Sequence, residues 1–248
     1  MPVDLVHRIH AAVADAGQAE GLLRESLGGG AAELRDVRLM ASGIPRPQWN
    51  SADVSGPDPD LCGASGFYAA RGLPWGIRVP AGMPWARGRH LTRLRLMTLD
   101  ARGVRAARCP AELDLAPAGP RELDTVVALD AAVFEEDPEA DRRWIEPHLG
   151  AAGVETAIAV FDGRPVATAY ALRTDGRAGP ALYLGGVAVL EHARRRGVAA
   201  AITSWLLRRG FADGAAFAHL HADTRESARV FTRLGFRDAG DLDVYAAP

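Results

Sequence analysis

From position 121 onward, apolar side chains fall alternately at helical and strand spacing. Leu123, Val126, Val127 and Leu129 share one face of a helix predicted over residues 121–134. A second helix is predicted over 138–149, with Trp144 and Ile145 turned inward. Residues 155–161 alternate as a strand, Asp162-Gly163 is a tight-turn signal, and 165–172 returns as the hairpin partner. A third strand is read over 181–190. A helix over 198–209 follows, with Val198, Ile202, Trp205 and Leu206 on one face. Residues 216–222 form a fourth strand. Asp223-Thr-Arg-Glu226 has the spacing of a capping box that opens a last helix. Gly235 fits the left-handed position that ends it, and 236–246 close as a strand.

Before residue 110 the pattern is weaker. An amphipathic helix is predicted over 3–16, with Leu5, Ile9 and Val13 on one face. Residues 36–41, 73–79 and 93–99 read as strands, and 61–70 as a short helix. Residues 45–60 hold four prolines and read as a loop. The run 108–120, rich in Pro and Ala, marks a boundary. It divides the chain into an N-terminal lobe, 1–111, and a second domain, 112–248.

Composition adds exclusions. The formal charge is −2, which argues against a strongly basic nucleic-acid binder. The longest uncharged apolar stretch is interrupted by glycines and too short to span a bilayer, so no membrane partner is expected. Cys62 and Cys109 lack metal-ligand spacing, so no metal is expected. With two distant cysteines and no signal-like start, a reduced cytoplasmic protein is expected. All 29 basic residues are arginine, which a GC-rich coding sequence accounts for, and no lysine ε-amine is present to be modified.

The stretch Leu184-Gly-Gly-Val-Ala-Val-Leu-Glu-His-Ala-Arg-Arg-Arg-Gly-Val-Ala-Ala carries chemistry. A strand ends, a turn follows, and Arg194–Ala199 opens a helix. The first helical N–H groups have no partner within the helix, and the dipole places partial positive charge there. A phosphate fits such an end. Gly197 removes a side chain where a diphosphate would approach, and Arg194, Arg195 and Arg196 add charge. Gly185-Gly186 within a strand marks a bulge or a close approach.

Three features together resemble the GCN5-related N-acetyltransferase (GNAT) superfamily. They are the strand Gly186-Val-Ala-Val-Leu190, the R-x-x-G-x-A run at Arg194–Ala199, and Leu234-Gly235-Phe236 ending the last helix. The resemblance spans about 112–248. It implies an α/β (α+β) fold with a mixed, mostly antiparallel sheet, splayed central strands and flanking helices. The lobe over 1–111 would be a smaller α/β unit, faintly similar to a degenerate GNAT-like lobe. Acetyl-CoA would be the cosubstrate, its pantetheine arm lying in the splay along Val187, Ala188 and Val189. Its diphosphate would sit on the turn Arg194, Arg195, Arg196, Gly197, Val198, Ala199 and Ala200. A backbone N–H near Val187 or Ala188 would face the thioester oxygen as an oxyanion donor.

The acceptor implied is a small-molecule or peptide amine, and such an amine must lose a proton before it attacks. Tyr183 stands on the strand where the family often places a base or water-holding group. His219 and His221 share a face of the neighbouring strand, and His219 is the better-matched base by ordinary pKa. Glu135 and Glu136 follow the first helix of the domain, a region that often shapes the family's acceptor site. Trp49, Trp75 and Trp85 could wall the acceptor pocket or fill the N-terminal core.

Two positions depart from the family's pattern. Phe231 stands where many members have a thiolate-protonating Tyr, and Thr224 where many have Asn. Both would still border the CoA groove. The departure leaves three readings: an acetyl-CoA-dependent N-acyltransferase, a silent acyl-CoA-binding sensor, and an enzyme for a longer acyl or aminoacyl donor. An exposed sheet edge could pair into a homodimer.

Overall fold

In the computed structural model, which describes residues 3–247, eleven strands form one sheet that runs through both halves of the chain. The first half supplies α1 (Val3–Leu23), β1 (Gly30–Leu34), β2 (Val37–Ala41), β3 (Ser51–Val54), α2 (Leu61–Ala69), β4 (Gly76–Pro80) and β5 (His90–Asp100). The second supplies β6 (Leu113–Ala118), α3 (Leu123–Phe134), α4 (Pro138–Ile145), β7 (Val154–Phe161) and β8 (Arg164–Gly176). It continues with β9 (Gly179–Val189), α5 (Val198–Ala212), β10 (Phe217–Ala222), α6 (Arg225–Leu234) and β11 (Arg237–Ala246). The sheet order is β1-β2-β3-β4-β11-β5-β10-β9-β8-β7-β6.

Two pairs are parallel, β3 with β4 and β9 with β10, and the other pairs are antiparallel. Each parallel pair is bridged by a helix, α2 or α5, as a parallel connection requires. Beyond each pair the halves trade a strand. β11 lies between β4 and β5, and β5 lies between β11 and β10. A division at residue 111 therefore crosses hydrogen-bonded strands.

The central strands splay as the resemblance implied. β9 and β10 pair only at Ala181–Phe217, Leu182–Ala218 and Tyr183–His219. β9 then continues to Val189 and β10 to Ala222 without pairing. On its other side β9 bulges against β8: Thr168 pairs with Ala188 and Tyr170 with Gly185, so Gly186 and Val187 face Ala169 alone. Gly186 has φ +57°, a left-handed value that glycine tolerates.

Helix α1 runs seven residues past the predicted end, because Gly17 and Gly21 are packing positions and not breakers. A Cβ at Gly21 would lie 2.3 Å from the Gly30 carbonyl oxygen. Ile9 and Val13 of this helix pack with Leu96, Ala181, Phe217 and Leu242, so its apolar stripe covers the junction of the halves. Its Asp15 accepts from the backbone N–H groups of Arg177 and Ala178 at 3.1 and 2.9 Å. Burying a side chain such as Ile9 stabilises by about 1.5–3 kcal/mol.

Three further expectations are corrected. Residues 45–60 contain β3, although they read as loop. The boundary run 108–120 contains β6, whose Pro117 is tolerated because β6 is an outer strand of the sheet. The cap of α6 sits one residue later than predicted: Thr224 is the N-cap and its hydroxyl accepts from Ser227 N at 3.0 Å.

Candidate active site

The turn after β9 is built to expose backbone donors. Arg195 and Gly197 have φ +61° and +85°, so the chain reverses sharply before α5. Gly197 is the N-cap and has no side chain to cap with. The first intrahelical bond runs from Ala201 N to Gly197 O at 2.9 Å. The N–H groups of Val198, Ala199 and Ala200 therefore point out of the helix end without an intrahelical acceptor. A Cβ on Gly197 would meet only the Arg108 carbonyl, at 3.7 Å.

The three arginines of this turn do different things. Arg194 Nε donates to the Val189 carbonyl at 3.0 Å and ties the turn to the strand. The Arg196 guanidinium lies 3.8 Å from the Phe161 ring centroid. Arg195 is exposed. The donors, the missing cap and the splay fit a diphosphate followed by a pantetheine arm, so these residues could hold CoA. Thr224 is committed to its own helix cap, and its oxygen is less free for a ligand than its position suggested. Phe231 is buried and packs edge-on against Phe236, with ring centroids 5.9 Å apart.

The splay opens onto a cavity of about 480 Å³ lined by both halves of the chain. Tyr183 and Gly186 of β9 reach it, and so does His221 at the end of β10. His219 does not line it. That ring is fully buried and neither nitrogen has a partner, and burial followed by the nearby His221 pulls its pKa down to about 3. The histidine of this strand that lines the cavity is His221, two residues on from the expected His219. Its own pKa is lowered by burial, against the pull of Asp223. At Tyr183, burial first, and then Glu20, raise the pKa well above the ordinary phenol. A phenol that keeps its proton can donate a hydrogen bond or hold water.

One wall is a buried charge network. Arg24 Nη1 donates to Glu20 Oε2 at 2.6 Å, and Tyr170 Oη donates to Glu20 Oε1 at 3.0 Å. His148 Nε2 lies 2.7 Å from Glu20 Oε2 and donates to it, because an ionised carboxylate only accepts. Burial opposes charge on Glu20, yet His148 and Arg24 outweigh it and hold the carboxyl at about 2. The Arg24 guanidinium also covers the Trp144 ring at 3.9 Å and donates to the Trp144 carbonyl.

The cavity also holds acids that the sequence pattern did not single out. Asp130 of α3 lies 3.7 Å, through Oδ1, from where a Cβ on Gly186 would stand. Burial, then Asp141 and Glu136, raise its pKa to about 7. Asp141 of α4 is 1% exposed and its Oδ2 has no partner. Burial, then Glu136, raise it to about 6. The signal for Asp130 was a polar residue on the apolar stripe, four positions after Val126. Of the expected glutamates, Glu136 lines the cavity and pairs with Arg46, whereas Glu135 has φ +56° and ends α3.

Of the three tryptophans, Trp49 lines the cavity, 5.3 Å from Trp144. Its loop is pinned by buried Asn50, whose Nδ2 donates to the carbonyls of Ile44, Arg46 and Pro74 at 2.8–3.0 Å. Trp75 stacks on Tyr68 at 4.8 Å within the N-terminal core, and Trp85 packs near Tyr245 at 6.1 Å. Among the described residues no group of His, Cys, Asp or Glu is placed to hold a metal ion, and no helix is long and apolar enough to cross a membrane.

Residues 123–236 match the model of the acetyltransferase (GNAT) family. No curated protein matches the chain by sequence. Among solved structures, it is similar in fold to a GCN5-related N-acetyltransferase from Kribbella flavida. The TM-score is 0.71 at 20% identity, covering 96% of this chain and 95% of that one. A conserved protein of unknown function from Staphylococcus epidermidis aligns with TM-score 0.62 at 13% identity, over 88% of this chain and 93% of that one. A GCN5-related N-acetyltransferase from Sphaerobacter thermophilus aligns with TM-score 0.56 at 14% identity, over 95% and 92%. The similarity in fold thus extends across both halves, whereas the family model covers the second.

Proposed function

Residues 123–236 match the model of the acetyltransferase (GNAT) family, and from that match we propose that the chain transfers an acetyl group from acetyl-CoA to a primary amine. The observation that carries this reading is the adjacency of three features. The uncapped start of α5 offers N–H groups to a diphosphate. The splay between β9 and β10 leaves an unpaired strand edge for a pantetheine arm. The bulge at Gly186 ends that path beside Asp130, in the cavity.

The residues divide the work as follows. The turn from Arg194 to Ala200 binds the diphosphate, with Arg194 and Arg196 holding its shape. Backbone N–H groups near Val187 and Ala188 stabilise the oxygen that gains charge as the amine attacks. Asp130 takes the proton that an ammonium must lose, since its raised pKa is matched to a general base near neutral pH. The amine nitrogen bonds to the acetyl carbon, the carbon–sulfur bond breaks, and the thiolate takes up a proton as CoA leaves. Tyr183 and Tyr170 keep their protons and line the path. The first half, 1–111, closes the cavity with α1 and the Trp49 loop, which makes it a wall of the site and not a second CoA clamp. Where the second half has Arg194–Gly197 before its crossover helix, the first has Asp58 and Asp60, which repel phosphate.

The test is thiol release from acetyl-CoA across amines, amino acids and peptides. Turnover with at least one amine is expected, lost in the Asp130→Asn variant. Binding of acetyl-CoA with no acyl transfer to any acceptor would overturn the reading in favour of a silent sensor.

A further inference from the structure

The cavity's charges nearly all cancel within the chain. Glu20 is matched by Arg24 and His148. Arg78 makes a two-pronged pair with Asp53, both contacts at 2.6 Å. Glu136 pairs with Arg46, and His221 lies 3.8 Å from Asp223. Two carboxyls are left over, Asp130 on α3 and Asp141 on α4. Neither side chain has a hydrogen-bond or ion-pair partner among the described residues. Asp141 is almost completely buried, with Oδ2 unpartnered at the cavity wall. Leaving a buried carboxyl unpaired is costly, and proteins keep such groups where a ligand completes them.

We propose that the acceptor is a diamine or polyamine, held with the reacting amine at Asp130 and a second ammonium at Asp141. This rests on the acetyl-transfer reading and names the substrate class for that site. Asp130 is the carboxyl beside the Gly186 bulge, so the amine there meets the acyl group. Asp141 holds the other end by charge and hydrogen bonding. In the same cavity Trp49, Trp144 and Phe134 supply apolar and π surface, suited to a methylene chain bearing cationic ends. Phe134 is 42% exposed, which places it at the mouth. An amino acid would bring its own carboxylate against two acids, and a simple alkylamine would satisfy only one of them. Burial is the first cause of the raised pKa of both acids and Glu136 adds to each, with Asp141 adding further at Asp130, and a dication relieves both.

The experiment is calorimetry of the full chain with 1,4-diaminobutane, n-butylamine and 4-aminobutanoate, with and without CoA. Thiol release from acetyl-CoA is measured on the same three compounds. The diamine is expected to bind at least tenfold tighter than either monoamine. Asp141→Asn should raise its KM at least tenfold and change that of n-butylamine less than threefold. Equal binding of the three compounds, or turnover that favours 4-aminobutanoate, overturns the proposal while leaving acetyl transfer intact. Selective binding of the diamine without any thiol release upholds the dicationic site and overturns the transfer reading instead. The wild-type comparison needs no variant, so a folding defect in Asp141→Asn does not decide the outcome.

Discussion

The Tyr170 hydroxyl donates to Glu20 Oε1 at 3.0 Å, joining a strand of the second half to the long helix of the first. Glu20 also receives Arg24 and His148, so a single carboxylate holds three buried groups in place. Removing it leaves Arg24 buried without its counter-charge. Glu20→Ala should destabilise the chain by about 3–5 kcal/mol, the cost of breaking a buried pair from one side. Tyr170→Phe should cost less, about 1.5–3 kcal/mol, one neutral donor to a charged acceptor. Urea unfolding measures both.

The same network sets an acid limit. The Glu20 carboxyl titrates from 4.5 when unfolded and from about 2 when folded. Its folded pKa is depressed, so its contribution is full above pH 4.5 and is lost as pH falls toward 2. His148 is held below its ordinary 6.5 by burial. It takes up its proton more readily in the unfolded chain, so stability begins to fall once pH drops below 6.5. Chemical denaturation at a series of pH values should show loss in both windows, and Glu20→Gln should remove the lower one.

Acetyl-CoA binding tests the turn. Gly197→Glu places a Cβ at φ +85° and a carboxylate over the free N–H groups of α5. Binding by calorimetry should disappear while circular dichroism stays that of the wild type. Gly197→Ala adds only backbone strain, about 1–2 kcal/mol for a left-handed residue, and should weaken binding without abolishing it.

Gly185 is a packing position. A Cβ there would lie 2.6 Å from Tyr170 Cζ, so Gly185→Ala must push the ring off Glu20 and shift the wall beside the bulge. A displacement near 1 Å costs about 100-fold in rate when reacting groups must align. Thiol-release kcat should drop by that order, with acetyl-CoA affinity changed much less.

kcat/KM should rise with pH through about 7 as Asp130 of the free protein ionises, since only the carboxylate can take a proton. Any residual turnover of Asp130→Asn should lack this limb. Phe231→Tyr should not raise kcat. Its hydroxyl would enter the packing against Phe236 and cost about 1–3 kcal/mol if no partner is found.

The second half was legible because its signals are local. Gly186 marks its own bulge, Gly197 its own turn, and the stripe from Val198 to Leu206 its own helix. The first half was less so. β1 contains Gly30 and alternates weakly, β3 is four residues wedged after prolines, and α1 carries Gly17 and Gly21 for close contact with neighbouring backbone and side chains. Asp141 looked like ordinary helix polarity, and Asp130 stood out only as a polar residue on the apolar stripe of α3. The exchange of β5 and β11 joins residues more than a hundred positions apart, and no pattern in a single sequence encodes that pairing.

The strand exchange also governs how the chain is made. β4 cannot complete its hydrogen bonding until β11 arrives, and β5 must wait for both β10 and β11. While the ribosome is still reading the codons before residue 237, the first half has open edges on two strands. Such contacts between distant segments form slowly, and uncovered edges invite pairing with other chains. Biogenesis of this protein therefore finishes late, and a holdase that covers these edges on the nascent chain until β11 emerges is expected to raise its yield.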